Sequence, residues 1–188
     1  GMYKGTNSEI NVICEYIKGY TLFEYISGNA CKMDDFLLVM VQILASLQVA
    51  QRACGFVHWD LAPWNVMIRD SDKETTTEYL VEYDRMISIT SSFTPVLIDY
   101  GKSHVIGTDG QHHGFINMFT TSTCQDMVNL LVTSLSAILD REQKLDRKDL
   151  SMVFYLANFL SGNGYRKDPF KTVGELRWFL RGARKYDN

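Results

Sequence analysis

The sequence predicts a mainly α domain with a few short β-strands, an α+β fold. Three observations predict it. Residues 34–55, 126–139, 149–160 and 172–183 carry apolar side chains at helical spacing or in runs too long for strands. Short strand-like runs are confined to the first hundred residues. The 188 residues are 46% apolar and 22% charged, the composition of a folded chain with one core, so 1–188 is expected to be a single domain.

The same arithmetic narrows the partners. A net charge of −3 offers no field that would draw in a nucleic acid. The longest apolar stretch, 36–53, is interrupted by Gln42, Ser46, Gln48, Gln51 and Arg52, so no membrane span is expected. The start of the sequence lacks the pattern of a secretory leader, and Cys14, Cys31, Cys54 and Cys124 form no CxxC pair. Reduced, mostly buried thiols in an intracellular, cytoplasmic setting are the expectation, in a virus-infected or other host cell.

Residues 11–17 are apolar ahead of the breaker Gly19, and read as a buried strand running into a turn. Thr21 can cap a short helix through Ile26 that ends near Gly28 and Asn29. Asp34 can cap the next, whose apolar positions Leu37, Val41, Leu44, Leu47 and Ala50 recur at three- and four-residue steps until Gly55. Val66, Met67 and Ile68 form a strand-like run, and the polar stretch 69–78 reads as a surface loop. Residues 79–81 and 86–89 suggest a hairpin about the charged turn 82–85, and Pro95 precedes a further run, 96–98. Residues 101–123 read as a long functional loop. Residues 126–139 are apolar on nearly every face, as in a buried helix, and two amphipathic helices follow, separated by the loop 161–169. The basic stripe Arg177, Arg181, Arg184 and Lys185 is expected to face solvent near the negative end of the last helix.

Chemistry concentrates in two segments. His58-Trp59-Asp60-Leu61-Ala62-Pro63-Trp64-Asn65 fits H-x-D-L-x-x-x-N, and Ile98-Asp99-Tyr100-Gly101 fits a hydrophobic-D-F-G pattern with Tyr for Phe. Each is weak alone, since an Asp near an Asn often only caps a turn. His104, His112, His113 and Cys124 mix soft and hard donors at irregular spacing, and read as solvated side chains rather than metal ligands.

In this order, with Cys14-Glu15-Tyr16-Ile17-Lys18-Gly19 upstream and Asp126 opening the apolar helix downstream, the motifs resemble the C-terminal lobe of the eukaryotic-type protein kinase superfamily. The flavour is that of haspin-like and large-DNA-virus kinases. The resemblance implies 1–19 as a hinge-strand region and 20–188 as a helical lobe. It implies ATP- and Mg²⁺-dependent phosphoryl transfer to a serine or threonine hydroxyl of a protein or peptide. Asp60 would take the hydroxyl proton, while Asn65 and Asp99 would ligate Mg²⁺. The backbone of Glu15 and Ile17 would meet the adenine edge, Cys14 would stand at the gatekeeper position and Met67 would floor the base. His58 and Tyr100 would brace the loops, and Asp126 would hold the backbone of the 58–65 segment.

The pattern also departs from that family. Only ten residues precede the hinge-like run, so no glycine-rich loop, V-A-I-K lysine or helix glutamate stands before it. A weak or inactive isolated chain is the expectation, with an upper-lobe partner or self-association through the open hinge face, where Val12, Ile13 and Met67 lie. Trp59 replaces the arginine that meets a phosphorylated loop, Ala62 replaces a lysine directed at the terminal phosphate, and no A-P-E motif occurs. A pseudokinase acting as an interaction module and a small-molecule kinase are the competing readings.

Overall fold

The computed structural model describes residues 2–4, 10–12, 14–114, 124–141, 145–161 and 170–184. About half of these are helical and about a quarter lie in strands, so the mixed α+β class holds. Not all of the strands are short, however, and the difference lies in one hairpin.

β1 (Met2–Lys4) and β2 (Ile10–Val12) pair antiparallel, with Met2 opposite Val12. The strand expected over 11–17 therefore ends at Val12. Ile13 lies outside the described residues, and 14–18 have no regular structure, with Cys14, Glu15 and Tyr16 exposed. An apolar run makes a strand only where a neighbouring ladder takes up its N–H and C=O groups, and among the described residues none pairs with 14–18.

β3 (Tyr20–Thr21), β4 (Val66–Leu80) and β5 (Met86–Leu97) form an antiparallel sheet with β4 in the middle. Gly19 is required where the chain enters it, because a Cβ there would collide with the Ile68 carbonyl. Residues 69–78, expected as a loop, continue β4 and pair with β5 through a register shift between Asp70 and Thr75. Their side chains are polar on both faces, so no alternation announces the strand. Threonines suit a pleated surface, and Thr76 and Thr90 meet across the ladder with hydroxyls 2.8 Å apart. Pro95 is tolerated because β5 is an edge strand.

α1 (Leu22–Ser27) opens with a capping box. The Thr21 hydroxyl accepts from Glu24 N at 3.1 Å, and Thr21 N donates to the Glu24 carboxylate at 2.6 Å. α2 (Met33–Cys54) begins after Lys32 with no side-chain cap, so Asp34 does not serve as one. Asp34 instead lies in the first turn and pairs with Lys148 at 2.7 Å. Gly55 ends α2 in the left-handed conformation, φ 56°, its N–H returning to the Gln51 carbonyl. By length and composition α2 is apolar enough to cross a bilayer, with a mean hydropathy of 1.5, against the expectation drawn from its polar interruptions. Its apolar face is nevertheless committed to the core through Phe36, Val39, Met40, Ile43 and Leu47.

α3 (Gln125–Leu139) is buried on nearly all faces, as its sequence predicts, and its last turns reach Leu135, Ile138 and Leu139 of the core. α4 (Arg147–Leu160) is capped by Asp146, which accepts from Asp149 N at 2.7 Å. α5 (Val173–Arg184) buries Leu176 and Leu180. One hydrophobic cluster draws on all five helices and on Val66 and Ile68 of β4. Arg177 and Arg181 of the basic stripe on α5 are exposed, as expected, and Arg177 also makes a contact. Arg177 donates to the Leu139 carbonyl at 2.6 Å, so it places a positive charge at the negative end of α3. Lys185 and the side chain of Arg184 lie outside the described residues. Of the four thiols only Cys31 is buried, while Cys54 is half-buried and Cys14 and Cys124 are exposed.

Candidate functional site

The 58–65 segment is held at both ends. Val57 and His104 exchange backbone hydrogen bonds of 3.0 and 2.8 Å. Asp126, in the first turn of α3 and only 1% exposed, accepts His58 N at 2.7 Å on one oxygen and Trp59 N at 2.9 Å on the other. Burial pushes the Asp126 carboxyl up from its ordinary value, and the two N–H donors pull it back. This is the backbone-holding role that the motif order implied for Asp126. Trp59 sits at φ 65°, a strained setting for a bulky residue that the grip of Asp126 on its N–H maintains.

His58 is fully buried, and its Nε2 lies 3.0 Å from the Ile98 carbonyl. A carbonyl only accepts, so this nitrogen carries the proton. The ring packs against Tyr100, with centroids 5.4 Å apart, and the Tyr100 hydroxyl donates to the Leu97 carbonyl at 2.8 Å. Both side chains thus brace the Ile98–Asp99 segment against the 58–65 turn.

Asp60, Asn65 and Asp99 come together through backbone bonds. Asn65 Nδ2 donates to the Asp60 carbonyl at 2.8 Å, and Asn65 N closes a tight turn onto the Ala62 carbonyl at 2.9 Å. Ile98 N donates to the Asn65 carbonyl at 3.0 Å, at the base of the β4–β5 hairpin, which sets Asp99 beside Asn65. Asp99 is the second non-glycine residue with positive φ among those described, at 61°, and its carboxylate accepts Gly101 N at 3.4 Å. The Asn65 amide oxygen has no protein partner among the described residues, and the Asp99 carboxylate is exposed. Amide and carboxylate oxygens of this kind suit Mg²⁺, which is held by few protein ligands and completes its shell with water and phosphate.

The Asp60 carboxylate, one-third exposed, carries an ion pair that the motifs alone did not announce. Lys102 Nζ lies 3.0 Å from Asp60 Oδ2. The available signal was a lysine directly after Asp-Tyr-Gly, but nothing in a linear pattern specifies a partner 42 positions away.

Of the residues expected to meet a nucleotide base, Met67 and Glu15 can be placed at one face of the sheet. Val66 and Ile68 point into the core, so Met67 and Arg69 share the opposite, half-buried face of β4. Glu15 reaches that face through Arg69, at 2.9 Å. Ile17 is half-buried, and Cys14 is exposed. Trp64 and Phe23, both exposed, meet edge to face with centroids 6.2 Å apart next to the 58–65 turn. Part of the expected loop 101–123 is structured: β6 (His104–Ile106) and β7 (His112–Gly114) form a short hairpin, and 115–123 lie outside the described residues. Within it His112 Nδ1 and His104 Nε2 share a hydrogen bond of 3.0 Å. Among the described residues no group of three or more His, Cys, Asp or Glu side chains gathers.

No family model matches the chain. It is 32% identical to the uncharacterized protein 035R of Invertebrate iridescent virus 3, over 98% of this chain and 17% of that protein. It is 29% identical to the probable kinase 098L of the same virus, over 59% of this chain and 21% of that protein. The probable serine/threonine-protein kinase PknB of Lactococcus lactis is 30% identical over 38% of this chain and 12% of that protein. The chain therefore spans about a sixth of the length of the first of these relatives. Its relatives include viral proteins, and the two named as kinases indicate a distant kinase-like relationship.

Proposed function

We propose that this chain is the C-terminal lobe of a protein-kinase-like phosphotransferase using ATP and Mg²⁺. The observation that carries the proposal is the joining of two motifs distant in sequence: Asn65 bonds to the Asp60 carbonyl while Ile98 N bonds to the Asn65 carbonyl. Phosphoryl transfer asks mainly for positioning and charge neutralisation, which such a cluster of hard oxygens at a braced turn provides. Asp60 is the residue for the hydroxyl proton of a serine or threonine substrate. Asn65 and Asp99 would hold Mg²⁺, whose chemistry when bound is to neutralise phosphate charge. The backbone of Glu15 and Ile17 would meet the edge of the base, Met67 would floor it, and Cys14 would stand at the gatekeeper position. An upper lobe, on a partner chain or elsewhere in a longer protein, would complete the phosphate grip; without one, the open hinge face would pair with a second copy.

Calorimetry of ATP binding with and without Mg²⁺ tests this. Binding that requires Mg²⁺ and is lost in Asp99→Ala, but kept in Asp60→Ala, is the expected outcome. Metal-independent binding, or none, would count against the assignment. Transfer to a panel of peptides and small hydroxyl or amine compounds then separates a protein kinase from a small-molecule kinase, and binding with no transfer to either indicates an interaction module.

A further inference from the structure

We propose that Lys102 is the cation of this site for the terminal phosphoryl group of a nucleoside triphosphate, and that it holds the Asp60 carboxylate until that phosphate arrives. The inference rests on the phosphotransferase reading and adds a residue and an order of events to it.

Residues 58–65 contain no lysine or arginine, and position 62 is a buried alanine, so this segment brings no positive charge of its own to Asp60. Lys102 fills that place from another element. It ends a 3-10 turn, Tyr100–Lys102, that follows Asp99 directly. The turn is fixed on both sides: Ser103 N donates to the Tyr100 carbonyl at 3.0 Å, the Tyr100 hydroxyl is tied to Leu97, and His104 is bridged to Val57. The backbone is anchored, yet the Lys102 side chain is 60% exposed and free to swing. A flexible stem with a compact ammonium and three donors can exchange one anion for another.

A terminal phosphate carries more negative charge than a carboxylate and offers several acceptor oxygens, so it competes well for that ammonium. Transfer of Lys102 to the phosphate releases Asp60 as a free carboxylate, ready to accept a hydroxyl proton. No covalent bond is made or broken in this exchange. The ion pair thus keeps the proposed base occupied while the site lacks a triphosphate.

Calorimetry with Mg²⁺ and a non-hydrolysable ATP analogue, against Mg²⁺ and ADP, tests the assignment on the 188-residue chain, Lys102→Met and Lys102→Arg. Lys102→Met is expected to lose triphosphate affinity by about tenfold, the scale of one charge-assisted hydrogen bond. Its ADP affinity should be unchanged, and Lys102→Arg should retain most of the triphosphate preference. If Lys102→Met keeps the wild-type ratio, or loses both nucleotides equally, the role of Lys102 is overturned while the Mg²⁺-site reading stands. A wild-type chain that binds both nucleotides alike also overturns it. A wild-type chain that binds neither overturns both proposals together.

Discussion

A carboxylate at 1% exposure is costly unless its oxygens are satisfied, and Asp126 is satisfied by the two N–H groups that shape the 58–65 turn. Truncating it leaves a buried donor on His58 and a half-buried one on Trp59 unpaired, at a cost of about 1–3 kcal/mol for the first and less for the second. Asp126→Ala is therefore expected to lower stability by about 2–4 kcal/mol in urea titration, with Asp126→Asn in between because an amide keeps one acceptor. An alanine variant with wild-type stability would show that the grip on His58 and Trp59 is ornamental. At this scale the sequence pattern named the residues whose bonds join the two motifs of the candidate site. The spacing from Asp60 to Asn65 is set by a short turn, and the Asp-Tyr-Gly segment is tied to it through Ile98, by its N–H to the Asn65 carbonyl and by its carbonyl to His58. The Lys102–Asp60 ion pair was not legible, because it joins two elements and no local periodicity encodes such a pair.

The hairpin β4–β5 shows where elements escape a pattern-based reading. Helix ends declared themselves at Thr21 and Gly55, and the run to Leu139 marks a buried helix, whereas the repeat read on α2 missed its core face, with Val41 exposed and Phe36, Met40 and Ile43 buried. The 69–78 stretch did not, because a strand with both faces polar has no hydrophobic period to read, and its pairing with β5 decides its conformation. Its distal half is held by a modest contact. Ile89, only 9% exposed, faces Leu37, Leu38 and Val41 of α2 across a shallow cavity of about 430 Å³. Arg52 lies over the Tyr83 ring at 5.1 Å nearer the tip. Ile89→Ala should cost about 2 kcal/mol, the low end for such a truncation because the site borders solvent. Hydrogen exchange should rise across 75–90 and stay unchanged across 58–65. Equal loss of protection in both segments would mean that the hairpin and the site open as one unit.

Across the whole molecule, three tyrosines tie separate elements together, and burial raises the hydroxyl of each above its ordinary value. Tyr20 donates to Asp70 from β3 to β4, Tyr100 to Leu97 beside the site, and Tyr25 to Asp35 between α1 and α2 at 2.9 Å. Tyr25 moves furthest: burial is the main cause, the Lys32 N–H it accepts works against it, and Asp35 adds to it. A group whose folded value is raised contributes stability below its unfolded value and loses it as pH climbs through the folded one. For tyrosine the unfolded value is 10.0, so this part of the stability is complete at neutral pH and erodes on the alkaline side of 10.0. Ionising Tyr25 would set a phenolate against the Asp35 carboxylate at the junction of two core helices. Tyr25→Phe removes both the hydrogen bonds and the titration. It should be less stable than wild type near neutral pH by about 1 kcal/mol. That gap should narrow in urea titrations carried above pH 10, as wild type falls further than the variant, which keeps the raised Tyr20 and Tyr100 but not Tyr25. A gap that stays constant across the alkaline range would place the raised tyrosine outside the forces that join α1 to α2.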